Sequence, residues 1–398
     1  MRFVLLLSLL FVSTFQTLSA ATYGDFTYEQ ITLGGGGSAP SESYIQITKY
    51  NGSATSVSFP SSINGLPVKV LGSGLALFNV GNIVTSLTIP STVTYIGDGA
   101  FSSCTSLTGT LIIPNSVTSI GSSAFYGCTG LTGVQIPNSV TRIGGYAFAE
   151  CSSLTEVTIP GSVQEMWSGI FSKCSNLTKA TFNYGVTTLN AGYTFADCTS
   201  LVTVNLPEGL KGLNGIGNFI GCTSLNSIVI PSSVTFAGLS TFANCSNLTK
   251  VLFLGDAPTA AGSIFAFTNA TVFYLCGTTG WNSTFYERPT QMITAKDIIQ
   301  TPSIVGLFSN GQYSSQYDAG QQSVISSPNS YSLYTANQIQ NMAFGDLVLT
   351  KNANGSFVLN YDIEQSTDLQ NWSTYAPLST PLTGLPADKA FVRIKAKQ

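Results

Sequence analysis

A unit of 23 or 24 residues recurs through the middle of the chain, and nothing else in the sequence constrains the fold as strongly. It is plainest from Pro114 through Ala124-Phe125 and Cys128 to Leu131-Thr-Gly-Val134-Gln-Ile136. The next unit restarts at Pro137 and again reaches Ala147-Phe148 and Cys151. A fixed period of this size means a solenoid, in which each turn buries its apolar face only by stacking on its neighbours. Seven regular units occupy residues 90–254. Such an array overrides the expectation, from length alone, of two or three globular domains.

Each unit ends in Leu-Thr-x-Val-x-Ile or a close variant, as at Leu131–Ile136, Leu154–Ile159 and Leu225–Ile230. This pattern makes a strand whose first, fourth and sixth residues point inward while the second, third and fifth face solvent. The unit from Pro90 carries one extra residue over Leu107–Ile113, which predicts a local bulge. Proline follows most of these strands and, lacking an N–H, turns the chain out of the ladder. Ser-Val-Thr-x-Ile-Gly then supplies a second short extended segment. The Ala-Phe-x-x-Cys stretch is too short for an independent helix and predicts a single helical turn. The expected fold is therefore a mainly β repeat solenoid, a leucine-rich repeat with parallel strands and short helical turns, followed by a small C-terminal β module.

Phenylalanine keeps its slot at positions 101, 125, 148, 171, 195, 219, 242 and 265, which predicts a buried aromatic column. Seven of the eight cysteines sit three residues later, from Cys104 to Cys245, and Cys276 stands apart. Stacked turns place equivalent side chains about 4.8 Å apart and parallel. A bridge needs Cβ atoms roughly 3.5–4.5 Å apart, so free buried thiols acting as small apolar fillers are expected.

Composition removes several function classes. There is no histidine, which excludes histidine-based nucleophilic systems and histidine metal ligands. Eighteen acidic against 15 basic side chains, with no basic cluster, leave no footprint for nucleic acid. The six acids between residues 90 and 254 do not repeat at equivalent positions, so no paired carboxylates recur along the stack. Gly34–Gly37 lacks the lysine and helix of a phosphate loop. No catalytic, cofactor or metal residues are assigned.

The chain opens with Met1-Arg2, an apolar run from Phe3 to Val12 and a small-residue site at Ala20-Ala21, the pattern of a secretory signal peptide over residues 1–21. No later segment is apolar enough to span a membrane. Residues 22–89 read as a lead-in and degenerate first repeat, and 255–298 as an irregular last repeat and cap. Residues 299–330 read as a polar linker and 331–398 as a β-rich module with a short helix over 335–342. Its strands are expected over 346–350, 356–364, 372–375 and 391–395.

The motif Ile-Pro-x-Ser-Val-Thr-x-Ile-Gly-x-x-Ala-Phe-x-x-Cys-x-x-Leu-Thr-x-Val resembles the BspA-like family of bacterial leucine-rich repeat proteins over roughly residues 44–292. The C-terminal module resembles, more weakly, those of exported Verrucomicrobia-type proteins. The family resemblance implies a secreted or cell-surface protein that adheres to protein or glycan ligands without catalysis. A passive envelope or matrix protein is the alternative, and a hydrolase of extracellular polysaccharide a more distant one. A monomer is expected. Candidate contact residues are those that vary between turns: Tyr126, Arg142, Tyr146, Trp167, Tyr184 and Tyr193, together with the strand neighbours Glu156 and Lys179.

Overall fold

The computed structural model describes residues 15–17, 20–33, 42–72, 74, 76–78, 83–293, 348–351, 357–365 and 373–382. The chain divides into two compact units, residues 1–317 and 318–398.

The first unit is a stack of coils with two parallel ladders. One ladder holds the leucine-motif strands, among them Leu131–Gln135, Glu156–Ile159, Lys179–Phe182 and Ser227–Ile230. The alternation follows the sequence pattern: Leu154, Val157 and Ile159 are buried, while Thr155, Glu156 and Thr158 are exposed. The register slips between Gly109 and Thr110, where the extra residue of the first unit sits. Gly109 takes φ 76° there, a conformation that costs a residue without Cβ little. The second ladder runs from Leu66–Leu71 through Tyr95–Ile96, Ser119–Ile120 and Arg142–Ile143 to Glu165–Met166. It resumes with Gly212–Leu213, Phe236–Ala237 and Thr259–Ala260.

The expected helical turn does not form; among the described residues there is no helix of any kind. The reason lies in where the backbone donors go. In the turn around Phe125, the N–H groups of Ser123, Phe125 and Gly127 donate to Gly145, Ala147 and Ala149 of the next coil. Those of Ala124, Tyr126 and Cys128 reach back only three residues, to Gly121, Ser123 and Phe125. Alternate donors are thus committed to the neighbouring coil, and the i−4 bonds of an α-helix have no partners left. Left-handed residues at Ser123 (φ 54°) and Gly127 (φ 67°) also interrupt any helical run. The fold is a mainly β solenoid built of strands and turns.

Its core is the predicted aromatic column. From Phe101 to Phe265 successive rings are 5.1–5.7 Å apart between centroids. Their planes lie within 14° of parallel. Phe59 and Phe78 close the column at its start, each 5.9 Å from Phe101. An antiparallel sheet of Ala21–Tyr23, Phe26–Leu33 and Glu42–Tyr50 precedes it. At the other end the strand Thr271–Leu275 is covered by Arg288–Ile293, and the Tyr286 hydroxyl bonds both N–H and C=O of Ala260, 3.0 Å each, which closes the edge of the second ladder.

All eight cysteines are free, and the seven of the ladder are buried. They do more than fill space. Each thiol from Cys128 to Cys245 donates to the carbonyl of the phenylalanine in the preceding coil, at 3.1–3.3 Å. Thr268 holds the same slot in the last coil, and its hydroxyl donates to Phe242 O at 2.8 Å. The slot therefore selects a small side chain with a donor. Because Cys276 alone is exposed, native protein is expected to take up one equivalent of an alkylating reagent, the other seven reacting only after unfolding. Intact mass after brief labelling checks this; rapid uptake of two or more equivalents would refute it.

In the second unit, Val348–Lys351, Phe357–Gln365 and Ser373–Leu382 form an antiparallel sheet with Phe357–Gln365 in the centre. Pro377 and Pro381 lie in an edge strand, where a missing N–H is tolerated. The strand expected over 391–395, the helix over 335–342 and the linker over 299–330 lie outside the described residues.

Candidate functional site

The site is built on an interruption of the second ladder. Just after that ladder's short strand, the residue whose N–H bonds back to the preceding coil is glycine in most coils: Gly97, Gly121, Gly144, Gly215 and Gly238. The space is tight. A Cβ on Gly144 would lie 2.3 Å from the Ser122 nitrogen, so the slot excludes a side chain where coils stack regularly. Trp167 occupies it nonetheless, and its N–H keeps the standard bond to Ile143 O at 3.1 Å. Gly145 of the preceding coil lies against it: a Cβ there would come 3.2 Å from the Ser168 carbonyl oxygen and into ordinary contact, 3.7 Å, with the Trp167 Cβ.

The following coil is one residue longer, 24 between Phe171 and Phe195 against 23 before, and the extra residue falls at Asn190. Glu165–Met166 and Thr188 do not pair, whereas Thr188 bridges Gly212 on its other side. A groove of 440 Å³ opens at this break, lined by Tyr146, Met166 and Trp167 together with Ser122, Ser168 and Asn190.

Tyr146 and Trp167 are 46% and 53% exposed, high for such large apolar rings. Tyr146 is left-handed, with φ 56°, as are the equivalent residues of the neighbouring coils, Ser123 at 54° and Gly169 at 70°, and here aromatic and glycine alternate: Tyr146, Gly169, Tyr193, Gly217. Each ring packs on the next glycine. A Cβ on Gly169 would come within 2.4 Å of the Tyr146 ring, and one on Gly217 within 3.2 Å of the Tyr193 ring. Asn190, which lines the groove, accepts from the amide of Asn214 at 2.8 Å, and both side chains are exposed. Arg142 stands on the adjacent strand and is neutralised by Glu165, with Nε 2.7 Å from Oε2 and Nη2 3.2 Å from Oε1.

The remaining candidates lie elsewhere on the coils. Tyr126 belongs to the phenylalanine turn, where its hydroxyl bonds Glu150, which in turn pairs with Lys173 at 3.2 Å. The Tyr126–Glu150 bond raises the tyrosine pKa and lowers that of the carboxyl, while Glu150 raises that of Lys173. This rim is thus internally satisfied. Tyr184 sits in the turn after Lys179–Phe182, beside Gly209 of the next coil. Glu156 and Lys179 stand in register on adjacent strands, but the ion pairs among the described residues do not include them.

Sequence reasoning thus missed Met166, Ser168 and Asn190 in the groove, and Glu165 and Glu150 as partners. Two signals were readable: tryptophan in a glycine column, and the longer unit that follows it. Among the described residues no group of three or more metal-ligating side chains forms.

Residues 76–192 and 191–288 match the BspA type leucine rich repeat region in six copies, more than half of the chain. The chain belongs to this family. BspA-type repeat proteins are a non-catalytic structural and adhesion family, and this chain is a bacterial leucine-rich repeat protein.

Several solved structures are similar to it. A leucine-rich repeat protein from Bacteroides ovatus is 21% identical with a TM-score of 0.44, the match covering 60% of this chain and 66% of that one, just under two thirds of its length. A leucine rich cell surface protein from Faecalibacterium prausnitzii is 18% identical with a TM-score of 0.37, covering 74% and 98%. The leucine rich repeat protein of T. pallidum is 25% identical with a TM-score of 0.32, covering 66% and 87%. No curated protein matches the chain significantly. No helix among the described residues is long and apolar enough to cross a membrane.

Proposed function

We propose that this BspA-type protein is exported to the cell surface or beyond, where it binds an extracellular protein or glycan. The observation that supports this best is the groove at the ladder break, where Tyr146 and Trp167 stay exposed although regular stacking would place glycine at position 167. Large rigid aromatics held on a repeat scaffold supply contact area at low entropic cost. Arg142 and Tyr193 extend the same side of the coils. The leader over residues 1–21 directs export in this reading, and the C-terminal module serves anchoring, sorting or spacing.

The purified exported chain, incubated with cells and arrays of matrix proteins and glycans, is expected to attach. Replacing Tyr146, Trp167 and Tyr193 together by alanine should weaken attachment by about tenfold or more while the melting curve stays in place. A passive envelope protein would attach equally well with and without the three rings, and that result would sink the proposal. Sequencing of the secreted form should begin at Ala21 or Thr22.

A further inference from the structure

We infer that the groove beside Trp167 takes an extended, uncharged polysaccharide running along the solenoid axis, its sugar rings stacked on Tyr146 and Tyr193. The inference rests on the recognition reading above and names the chemistry of the ligand.

The spacing of the aromatic platforms is the first support. Tyr146 and Tyr193 occupy equivalent positions two coils apart, about 10 Å at the spacing of neighbouring strands. That separation approaches the disaccharide repeat of an extended β-linked glycan, so alternate sugars meet a ring. Each tyrosine packs one side on the glycine of the next coil, Gly169 or Gly217, and is held there rather than swinging free. The C–H face of a pyranose is weakly positive and complements the negative face of such a ring.

Charge is the second support. Around the groove, Asp98 accepts from the N–H of the lining Ser122 at 2.7 Å and from the Tyr95 hydroxyl at 3.2 Å, while Arg142 and Glu165 neutralise one another, so these side chains leave no net positive charge to attract a polyanion or an acidic peptide. The polar groups that remain are hydroxyls and amides: Ser122, Ser168 and Asn190 in the groove, with the Asn214 amide donating to Asn190. Such groups both donate and accept, which matches the adjacent hydroxyls of a sugar. The shape of the site is the third. The groove is open, whereas the hot spots of protein partners sit in enclosed, desolvated pockets.

The test uses the full exported chain with cellohexaose, xylohexaose and mannohexaose, their shorter homologues, and an oligogalacturonate as the acidic counterpart. Calorimetry and tryptophan fluorescence read the binding. At least one neutral hexasaccharide is expected to bind, with affinity rising along the series until the ligand spans both tyrosines, and with no dependence on salt. Tyr146→Ala and Tyr193→Ala should each weaken binding roughly tenfold, whereas Tyr146→Phe and Tyr193→Phe keep it because stacking does not need the hydroxyl. Unchanged circular dichroism excludes misfolding of the alanine variants. The inference is overturned if no neutral oligosaccharide binds, if only the acidic one does, or if the alanine variants bind like the parent. Loss of cell attachment on removing the three rings, without any binding of neutral glycans, would keep the recognition reading with a protein partner and overturn this inference alone.

Discussion

Phe171→Ala is expected to split the unfolding of the solenoid into two transitions and to cost about 3–5 kcal/mol. Phe171 is fully buried in the middle of the column, with Phe148 and Phe195 each 5.5 Å away and within 8° of parallel. Truncation leaves a void that neither neighbour can fill, because each ring is also held by the next one along. A repeat array is stabilised by nearest-neighbour interfaces, so damage at one coil uncouples the coils on either side. Phe171→Leu preserves most of the volume and should cost less than about 1.5 kcal/mol in a single transition. Urea denaturation with hydrogen exchange resolved along the chain measures both. One cooperative transition for Phe171→Ala, shifted by less than about 1 kcal/mol, would falsify the account of the column as the coupling element.

Alkaline pH should destabilise the solenoid steeply, and the cysteine ladder is the cause. Burial pushes Cys151 and Cys245 up to about 12 from the ordinary value of 9.0, and raises Cys174, Cys198 and Cys222 well above it. The thiol of Cys128 is raised as well, chiefly by its interaction with Cys104 and then by burial. The sign follows from which state keeps its protons. Below the unfolded value both states hold the thiol proton and the stability is fully present. Above it the unfolded chain releases protons that the folded chain retains, so stability falls as pH rises from 9.0 towards about 12. Each thiol can remove up to about 1.4 kcal/mol per pH unit in that window, and several act together. Cys174→Ser keeps a donor towards Phe148 O but does not titrate there, so its stability should fall with a slope shallower by about one proton. Urea midpoints across this range read the slope; a flat profile to about pH 11 would show that the ladder thiols are not buried as described.

Much of this architecture was legible before any coordinates. The period named the solenoid, the letters of the Leu-Thr-x-Val-x-Ile strand told inside from outside, and parallel stacking argued for free thiols along the cysteine ladder. These inferences succeed because each concerns one residue repeated in register with itself, so that its neighbour in space is already known. The helical turn failed for the complementary reason. Whether the N–H of Phe125 bonds within its own turn or to Ala147 depends on a carbonyl 22 residues away, and local propensity carries no account of that competitor.

The candidate site divides along the same line. That Tyr146, Trp167 and Tyr193 depart from consensus was visible, but so was the departure of Tyr126 and Tyr184, which the fold disperses to other turns. Sequence by itself determined the repeating elements: the coil, its buried phenylalanine and its small cysteine slot, all set by the demand that identical units bury identical faces. Only the tertiary structure decided how the exceptions combine. The Trp167 side chain and the extra residue at Asn190 act on the same interval between coils, where backbone pairing is lost and a groove opens. Pairing between coils is a property of two chain segments at once, and so the site exists only where they meet.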